Sequence, residues 1–383
     1  MSGVSKDIRK ILEEAQKKIN QALTELSKES SVVKESPKNA GEEEYGITGE
    51  PANIKRILNS IGMEVTKNES EAASVTYTSD FDKAKPFQFK EIKDQKGNVF
   101  IQVPKAYIKQ ENGSVSVSIK QLDGYKLPKA FIDENGKELD CFYISKYAAT
   151  NDEGIVTSKK GLKHYVNRTI DQFRDLARHE GYRLLNAYRY GYLVELFKIE
   201  FATADSKAVL KGVVNRSWDE GQVPSGTCML EGVQTGYDIS TGAFVYRGIE
   251  NLFGNVWQFL DGIYADDQGV HVSHNNKDYD LFVTSGKNKD KYILGWVSSM
   301  VANENHPGLS LPVGLKDSDK DSYKSYSWIE YHKNKRVCLV GGAWGGGSGA
   351  GLFYWDLYSV LGGAYFAVGA RLSADTLKGG VGV

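Results

Sequence analysis

This chain has few cysteines and histidines and almost no net charge. Its 383 residues include three cysteines and six histidines, and the formal net charge is -1. Cys141, Cys228 and Cys338 are too few for a dense disulfide framework and form no Cys-x-x-Cys pair, so we expect free, buried thiols. A broad nucleic-acid-binding face needs an excess of basic residues to displace phosphate counterions, and the near-neutral charge argues against one.

Long apolar runs are also missing. No stretch approaches the ~20 consecutive apolar residues of a membrane-spanning helix, so no membrane insertion is expected. The first residues lack the charged, apolar and small-residue regions of a signal peptide, which predicts synthesis in the cytoplasm and release by lysis or in a particle. What is present, 40% hydrophobic and 25% charged residues, is typical of a globular protein with a large core.

The N-terminal 50 residues predict a helix followed by a linker. Residues 1–30 favour the helix, because their apolar positions alternate spacings of four and three. These positions are Ile8, Leu12, Ala15, Ile19, Ala22 and Leu26. A short heptad repeat of this kind either joins copies of the chain, as a coiled coil, or packs on its own protein, and the pattern leaves both open. Residues 31–50 are polar and aperiodic, which predicts the linker.

Residues 51–135 predict a small β-rich module that begins with a short helix. Pro51 and Gly62 bracket the helical pattern. Further on, two segments alternate apolar and polar residues, as strands do, and Asn112-Gly113 is typical of a tight turn. The alternating apolar residues are Val99, Ile101, Val103, Val115, Val117 and Ile119.

Residues 136–383 predict one compact α+β domain. Thr169 and Gln172 have the spacing of a capping box, which begins a helix that ends at Gly181. A second helix is predicted at about 187–201. The remainder shows no helical period and is rich in Gly, Asp, Asn and Trp, which indicates antiparallel strands joined by long loops.

No motif for catalysis or for a cofactor stands out. His271 and His274 could share a face only on a helix, whereas their neighbours indicate a loop. Asp317, Asp319 and Asp321 imitate the start of a calcium-binding loop, but the Gly and Glu that such a loop needs further on are missing. Solvated loop acids are the better interpretation, so we predict no metal, no cofactor and no catalytic residue.

The most unusual stretch, "VGGAWGGGSGAGLFYWDLYSV" at 340–360, places large rings beside a run of glycines. A phosphate-binding loop would need a Lys after the glycines, and a dinucleotide site an acidic residue about twenty positions on. Both are absent. A flexible linker is also a poor interpretation, because glycine is costly to order and these glycines adjoin large apolar rings. The remaining interpretation is a fixed backbone that carries exchangeable side chains.

Four segments share a family pattern. In order they read "FYISKYAATN" (142–151), "GYRLLNAYRYGYLVELF" (181–197), "YRGIENLFGNVWQFLDGI" (246–263) and "RVCLVGGAWGGGSGAGLFYW" (336–355). This pattern, with Gly254-Asn255-Val256-Trp257 and Gly369-Ala370-Arg371-Leu372, resembles the C-type lectin fold in the subtype of formylglycine-generating enzymes. Those enzymes carry a cysteine pair where this chain has glycine and serine, so the resemblance implies the fold without the activity.

Residues 341–359 align with the pattern G-G-N-W-N-N-G-S-N-A-G-x-F-Y-W-N-L-N-N. This pattern resembles the variable region of proteins diversified by retroelements, among them phage receptor-binding tail proteins, in which the adenines of Asn codons are randomised. The fixed letters fall on Gly341, Gly342, Trp344, Gly347, Ser348, Ala350, Gly351, Phe353, Tyr354, Trp355 and Leu357. The Asn positions, with further ones after residue 360, are our candidate ligand-binding residues: Ala343, Gly345, Gly346, Gly349, Asp356, Tyr358, Ser359, Gly363, Tyr365, Phe366 and Ala367.

The genetic code is consistent with this alignment. Randomising the adenines of AAC or AAT reaches Ala, Gly, Asp, Tyr, Ser and Phe but never Lys, Glu, Gln, Met or Trp, and every Asn position holds a reachable residue. Residues 343–368 contain one charged residue, Asp356, although 25% of the chain is charged. A buried core strand would also lack charge, but it does not need so many glycines.

The resemblance implies a hypervariable, non-catalytic protein of a phage tail tip, localised to the virion, with a variable region at 340–372. Its expected partner is a protein or glycan of the host cell surface, with other tail proteins also possible, and homo-oligomerisation, guessed as a trimer, would add avidity. Two alternatives stay open: an enzyme of the formylglycine-generating type with a relocated active site, and a purely structural tail protein.

Overall fold

The computed structural model describes residues 44–57, 65–69, 74–111, 113–379 and 381–382. The helix predicted over 1–30 lies outside the described residues, as do most of the predicted linker and the second half of the helix predicted over 51–62. The described residues belong to one compact unit. None of their helices is both long enough and apolar enough to cross a membrane.

The described chain is predominantly β. Its α-helices are α1 (Ile170–His179), α2 (Ala187–Phe201) and α3 (Ser206–Leu210). In chain order, the strands are β1 (Glu44–Thr48), β2 (Lys55–Arg56), β3 (Val65–Glu69), β4 (Ser74–Ser79), β5 (Lys90–Lys93), β6 (Val99–Pro104), β7 (Tyr107–Glu111), β8 (Ser114–Ser118), β9 (Cys141–Ser145), β10 (Thr150–Asp152), β11 (Ile155–Thr157), β12 (Arg183–Leu184), β13 (Thr235–Asp238), β14 (Phe244–Tyr246), β15 (Ile249–Glu250), β16 (Trp257–Ala265), β17 (Gly269–Val272), β18 (Asp280–Thr284), β19 (Tyr292–Ala302), β20 (Ser310–Lys316), β21 (Tyr326–Glu330), β22 (Arg336–Val340), β23 (Trp355–Val360), β24 (Val368–Gly369), β25 (Leu372–Ala374) and β26 (Val381–Gly382).

The strands form five sheets. In the largest, the order is β18-β17-β16-β22-β23-β21-β19-β20, with β24 paired to β16. The others are β12-β25-β9-β6-β5-β26, β15-β14-β13-β4-β3, β2-β1-β8-β7 and β10-β11. The predicted α+β class therefore describes the chain only in part, because helices contribute little and antiparallel strands most of the structure.

Sheet pairing crosses the domain boundary predicted near residue 135. Strand β6 pairs with β9, so that Val103 lies opposite Phe142, and β4 pairs with β13, so that Tyr77 lies opposite Thr235. The N-terminal strands thus complete sheets whose other strands follow residue 140. Strand β1, within the segment predicted as a linker, likewise pairs with β8.

The two long helices are confirmed. At α1, the Thr169 side chain accepts a hydrogen bond from the Gln172 backbone N–H, and the Gln172 side chain accepts one from the Thr169 N–H, which satisfies two donors at the helix start. Helix α2 begins at the N-cap Asn186 and is buried on all sides except at its C-terminal residue, Phe201. It packs in the main hydrophobic core.

The two most specific family motifs are hydrogen-bonding centres. The side-chain amide of Asn255 donates to the Val223 C=O and accepts from its N–H, at 3.0 and 2.9 Å. The backbone there is left-handed, with φ of +60°, which Asn tolerates better than most residues.

Arg371 is fully buried. Its guanidinium donates to four backbone carbonyls and to the side chain of Gln258. The carbonyls are those of Ser145, Lys146, Glu250 and Asn251. Arg371 therefore ties the end of the variable region to two distant segments of the chain.

Candidate ligand-binding surface

The predicted variable region, residues 340–372, occupies the centre of the largest sheet and the loops beside it. Strands β22 and β23 are antiparallel neighbours, so that Val340 lies opposite Trp355 and Arg336 opposite Val360. Strand β16 flanks the pair on one side and β21 on the other. Loop 341–354 is thus attached at both ends to strands that are paired on each side, whereas loop 361–367 runs from such a strand to β24, which pairs with β16 alone.

Rings predicted as fixed are packed inside. Trp344, Phe353 and Trp355 are buried. Trp355 meets Tyr190 of α2 edge to face, with ring centroids 5.3 Å apart, and Phe353 lies 4.8 Å from the Tyr323 ring. Large aromatic side chains contribute most of the packing energy of a core, so these contacts anchor the backbone of the variable region.

The glycines of the region fall into two conformational groups. The fixed Gly341, Gly342 and Gly347 have φ of +88°, +86° and +57°, a region that L-residues with side chains rarely adopt. The glycines at predicted Asn positions are outside that region, and Gly346, for example, has φ of −74°. Backbone conformation therefore favours glycine at these three fixed positions and permits other residues at the variable ones. The fixed Gly351 is constrained by space instead, since a Cβ there would lie 2.3 Å from the Ser325 Oγ.

The eleven candidate ligand-binding residues differ in exposure. Tyr358, Tyr365 and Phe366 are exposed, by 42%, 40% and 57%. Gly345, Gly346 and Gly349 are partly exposed. Buried positions are Ala343, Asp356, Ser359, Gly363 and Ala367.

Local packing explains the buried positions. Ala343 has no exposed surface because it packs in a small core cluster with Trp344. A backbone hydrogen bond fixes the position of Ala367, because its C=O accepts from the Trp257 N–H at 2.9 Å. The exposed Tyr365 ring covers Gly363, since a Cβ built there would lie 2.5 Å from the tyrosine hydroxyl.

Exposed aromatic rings are concentrated at the variable region. Five are exposed in the described chain, and three of them are Tyr358, Tyr365 and Phe366. A fourth, Trp218, meets Phe366 at 5.9 Å and the buried Trp344 at 5.5 Å between ring centroids. These three rings form a mutually contacting cluster, because Trp344 and Phe366 also lie 5.8 Å apart.

The fifth exposed ring, Tyr292, connects to Tyr358 through Trp328. Trp328 stacks on Tyr358 with centroids 4.2 Å apart and planes at 25°, and Tyr292 lies 6.2 Å from Trp328. We call Trp218, Tyr292, Trp328, Tyr358, Tyr365 and Phe366 the aromatic surface. The aromatic surface thus consists of two groups of rings and Tyr365, which no ring contact joins in the described chain. Grouped exposed rings mark interaction sites more often than isolated exposed residues do.

Sequence reasoning missed half of the aromatic surface. Tyr292 and Trp328 lie on β19 and β21, beyond the predicted variable region, and Trp218 lies in a loop. The alternation Tyr292, Leu294, Trp296 was a usable signal, since a strand that places three large apolar residues on one face needs something to cover them. In the structure, Tyr292 and Leu294 stay exposed.

Asp356 is a buried acid. Its side chain is only 9% exposed, and in the described chain its carboxylate accepts one hydrogen bond, from the Tyr358 backbone N–H at 2.9 Å. Burial disfavours the charged form and raises the pKa of Asp356 to about 7.

Replacing Asp356 by asparagine should stabilise the protein at alkaline pH. A pKa of about 7 lies above the ordinary value of 3.8, so the acid's contribution to stability is full below about pH 4 and is lost as the pH rises towards 7. Relative to wild type, the free energy of unfolding of Asp356→Asn should rise by up to about 4 kcal/mol between pH 4 and pH 8. Urea denaturation of both proteins at several pH values measures this. A difference that does not change with pH would contradict it.

The thiols are poor candidates for nucleophilic chemistry. Burial raises the pKa of Cys228 to about 11 and that of Cys338 well above its usual value, so both remain protonated near neutral pH. No group of three or more His, Cys, Asp or Glu side chains in the described ranges could hold a metal ion.

A charged cleft of about 490 Å³ lies elsewhere and is lined by no candidate residue. Several of its charged groups pair with one another. Arg174 Nη2 lies 2.6 Å from Asp261 Oδ1, and Arg183 Nη2 lies 3.0 Å from Glu134 Oε1. The cleft as a whole keeps an excess of positive charge, since four arginines and Lys277 line it against Glu134, Asp261 and Asp375.

Comparisons with known proteins give distant structural similarities only. No protein-family model and no curated protein matches the chain. The solved Major Tropism Determinant U1 variant is 14% identical, with a TM-score of 0.32 over 89% of this chain and 74% of that one. The M1 variant is 14% identical, with a TM-score of 0.32 over 82% of this chain and 84% of that one. The I1 variant is 13% identical, with a TM-score of 0.31 over 89% of this chain and 74% of that one. Similarity at this level assigns neither a fold nor a function.

Proposed function

We propose that this chain is a receptor-binding protein of a phage tail tip, diversified by a retroelement. Its residues 136–383 would adopt a C-type lectin fold of the formylglycine-generating subtype, and its variable region would bind a protein or glycan of the host surface. The proposal rests on the alignment of residues 341–359 with the variable-region pattern and on the geometry of that segment.

One observation carries the proposal furthest: among the glycines of residues 341–363, left-handed backbone occurs only at fixed positions, although the fixed Gly351 does not share it. Random mutation of an Asn codon yields many side chains, so the backbone at such a codon must accept any of them. The left-handed φ angles occur at Gly341, Gly342 and Gly347 but at none of the four variable glycines. A segment that was glycine-rich for flexibility alone would have no reason to divide in this way.

The exposed residues of the region suit a binding surface. Tyrosine offers a large and fairly rigid contact area at low entropic cost, and small residues beside it adapt to different partners. Tyr358 and Tyr365 supply such rings, and Gly345, Gly346 and Gly349 are the small residues. The buried variable positions would act indirectly, through the packing of the exposed ones.

A catalytic role has less support. The cysteine pair of the related enzymes is replaced by glycine and serine, and two of the three thiols have raised pKa values. We propose a non-catalytic protein without a cofactor. Assembly into a homo-oligomer, with a trimer as the working stoichiometry, is proposed from the helical pattern at residues 8–26 alone.

Two tests address the proposal at different levels. At the genome level, we expect a near-identical, Asn-rich copy of the coding segment for residues 340–372 beside a reverse-transcriptase gene. At the protein level, purified protein should bind intact cells of the host through the aromatic surface. A genome with neither the copy nor the transcriptase would contradict diversification.

Alanine at a fixed glycine should cost far more stability than alanine at a variable one. At Gly342, a Cβ would combine a φ of +86° with a contact of 2.6 Å to the Ala350 Cβ, so Gly342→Ala should lose at least about 2 kcal/mol of unfolding free energy. At Gly349, φ lies outside the left-handed region, and the atom nearest to an added Cβ, the Tyr326 Cβ, would be 3.3 Å away. Gly349→Ala should therefore change the unfolding free energy by less than about 1 kcal/mol. Urea denaturation compares the pair. Equal losses would remove the main support for the proposal.

A further inference from the structure

More cations than carboxylates line the cleft of about 490 Å³. Two of the cations, Arg174 and Arg178, lie one turn apart on α1. Arg183 lies on β12, Arg189 in the first turn of α2, and Lys277 between β17 and β18. These five residues face three carboxylates in the lining. The volume is within the range of roughly 300–1,000 Å³ that is usual for ligand sites, so the cleft has room for a molecule larger than an inorganic ion.

Internal ion pairs orient the inner arginines. Nε and Nη2 of Arg174 both donate to Asp261 Oδ1, at 3.0 and 2.6 Å. Arg189 is buried, and its guanidinium donates to the side chains of Ser373 and Asp375. These side chains are therefore held in place before a ligand arrives, which reduces the entropic cost of binding.

Several cationic donors of the lining are still open to a ligand. In the described chain, Nζ of Lys277, Nη1 of Arg178, and Nε and Nη1 of Arg183 have no partner, and none of these atoms is sealed from solvent. The side chain of Arg178 is 68% exposed, and that of its carboxylate partner Asp175 is 74% exposed. Ion pairs between exposed side chains contribute little stability, so a ligand anion can replace this one.

Three acids near the cleft do not line it. Asp171 pairs with Arg174 and Asp175 with Arg178, while Asp278 accepts a hydrogen bond from a neighbouring amide. All three are exposed, where water and salt screen their charge. Charges inside a cleft interact through less water, so the cations of the lining dominate the field there. An anion is the ligand that this field favours.

We propose that this cleft binds an acidic oligosaccharide, whose carboxylate or sulfate group is held by Arg178, Arg183 and Lys277. Guanidinium groups match the geometry of such oxyanions, and an ammonium adds a mobile charge. The site goes beyond the proposed function, because no candidate residue of the variable region lines the cleft. Copies of this protein with different variable regions would therefore share it.

The carboxylates of the lining favour a sugar over other acidic polymers. Nucleic acids and acidic peptides carry closely spaced anions, which these carboxylates would repel. Sugar hydroxyls, in contrast, both donate and accept hydrogen bonds. Glu134 Oε2 and Asn186 Nδ2 have no partner in the described chain, so they offer an acceptor and a donor to such hydroxyls.

Calorimetric titration of the whole chain with trigalacturonic acid, which is carboxylated, and with a sulfated heparin disaccharide tests this inference. We expect saturable binding of at least one of them, and the pair shows which oxyanion is preferred. Binding should be at least about tenfold weaker for the double variant Arg178→Ala with Lys277→Ala, and for neutral maltotriose with the wild type. Both replaced side chains are exposed, so the variant should stay folded, which thermal unfolding checks.

The matched control is Lys287→Ala with Lys320→Ala, which removes two exposed cations outside the cleft and should bind the acidic sugars as the wild type does. Two outcomes would overturn the inference: binding of neither acidic sugar by the wild type, or equal binding by the wild type and the cleft variant.

Parallel titrations with inorganic phosphate and with tetraglutamate separate the ligand classes. Phosphate binding as tight as that of the sugars would indicate a simple anion site, and tighter binding of tetraglutamate would indicate an acidic peptide. Either result excludes the sugar. The proposed function is judged separately, by binding to cells through the aromatic surface. Wild-type protein that binds cells but no acidic sugar would retain that function and lose only this inference.

Discussion

Replacing both Tyr358 and Tyr365 by alanine should weaken binding to host cells by at least about a hundredfold. Both side chains are about two-fifths exposed in the aromatic surface, and aromatic residues at the centre of an interface often contribute about 2 kcal/mol or more each. Binding of fluorescently labelled protein to intact cells, over a dilution series, measures the effect. Losing the stack of Tyr358 on Trp328 should lower the unfolding free energy by only about 1 kcal/mol.

The matched control is Ile155→Ala with Met229→Ala. These residues are exposed by 49% and 70%, so the control also removes two exposed apolar side chains, but outside the aromatic surface. It should bind cells as the wild type does. If the tyrosine variant keeps wild-type binding while both variants stay folded, the receptor-binding proposal fails.

Replacing Arg371 by alanine should destabilise the protein by at least about 4 kcal/mol, a large fraction of the stability of an ordinary domain. The guanidinium has no exposed surface, and its removal leaves the carbonyls of Ser145, Lys146, Glu250 and Asn251 without this donor in the interior. Urea denaturation and soluble yield measure the loss.

Two further variants keep this prediction testable if Arg371→Ala does not fold. Arg371→Lys retains the positive charge but cannot reach all five acceptors with one ammonium, so it should lose an intermediate amount. Arg178→Ala removes an exposed arginine from α1 and should change stability by less than about 0.5 kcal/mol. Stability of Arg371→Ala within about 1 kcal/mol of wild type would show that the hydrogen-bond network is not needed for the fold.

Local signals in the sequence predicted the elements that local interactions stabilise. The capping box at Thr169 began a helix where expected, and the helix predicted at about 187–201 spans Ala187–Phe201. The alternation at Val99, Ile101 and Val103 marked a strand. In each case, neighbours within four residues determine the conformation, so a single sequence contains the information.

Pairing between distant strands was beyond local reasoning. Residues 51–62 have a helical pattern, yet Arg56 pairs with Ile47 of β1, because completing a sheet outweighs a weak local preference. The pairing of β4 with β13, about 160 residues apart, likewise depends on which edges are left open after the rest of the chain has folded. No local pattern specifies such an edge.

The alignment with the family pattern predicted where the variable region lies, but it did not predict which residues surround that region. The alignment picked out Tyr358, which is exposed, and also Ala343, which is not, and the further positions chosen beyond it include the exposed Tyr365 and Phe366. Periodicity alone does not reveal that Trp218 covers Gly345, where a Cβ would lie 2.6 Å from the indole ring. Contacts between segments more than a hundred residues apart require the three-dimensional arrangement.

Arg371 holds the end of the variable region in place through hydrogen bonds to four backbone carbonyls. Within the described residues, Gln258 is the one side chain to which it donates. Every residue has a backbone carbonyl oxygen, so substitutions at the four acceptor positions leave these hydrogen bonds possible. For a protein engineer, this makes the exposed variable positions between residues 343 and 367 suitable sites for a combinatorial library. Clones selected from such a library against unrelated targets should keep the fold while differing in what they recognise.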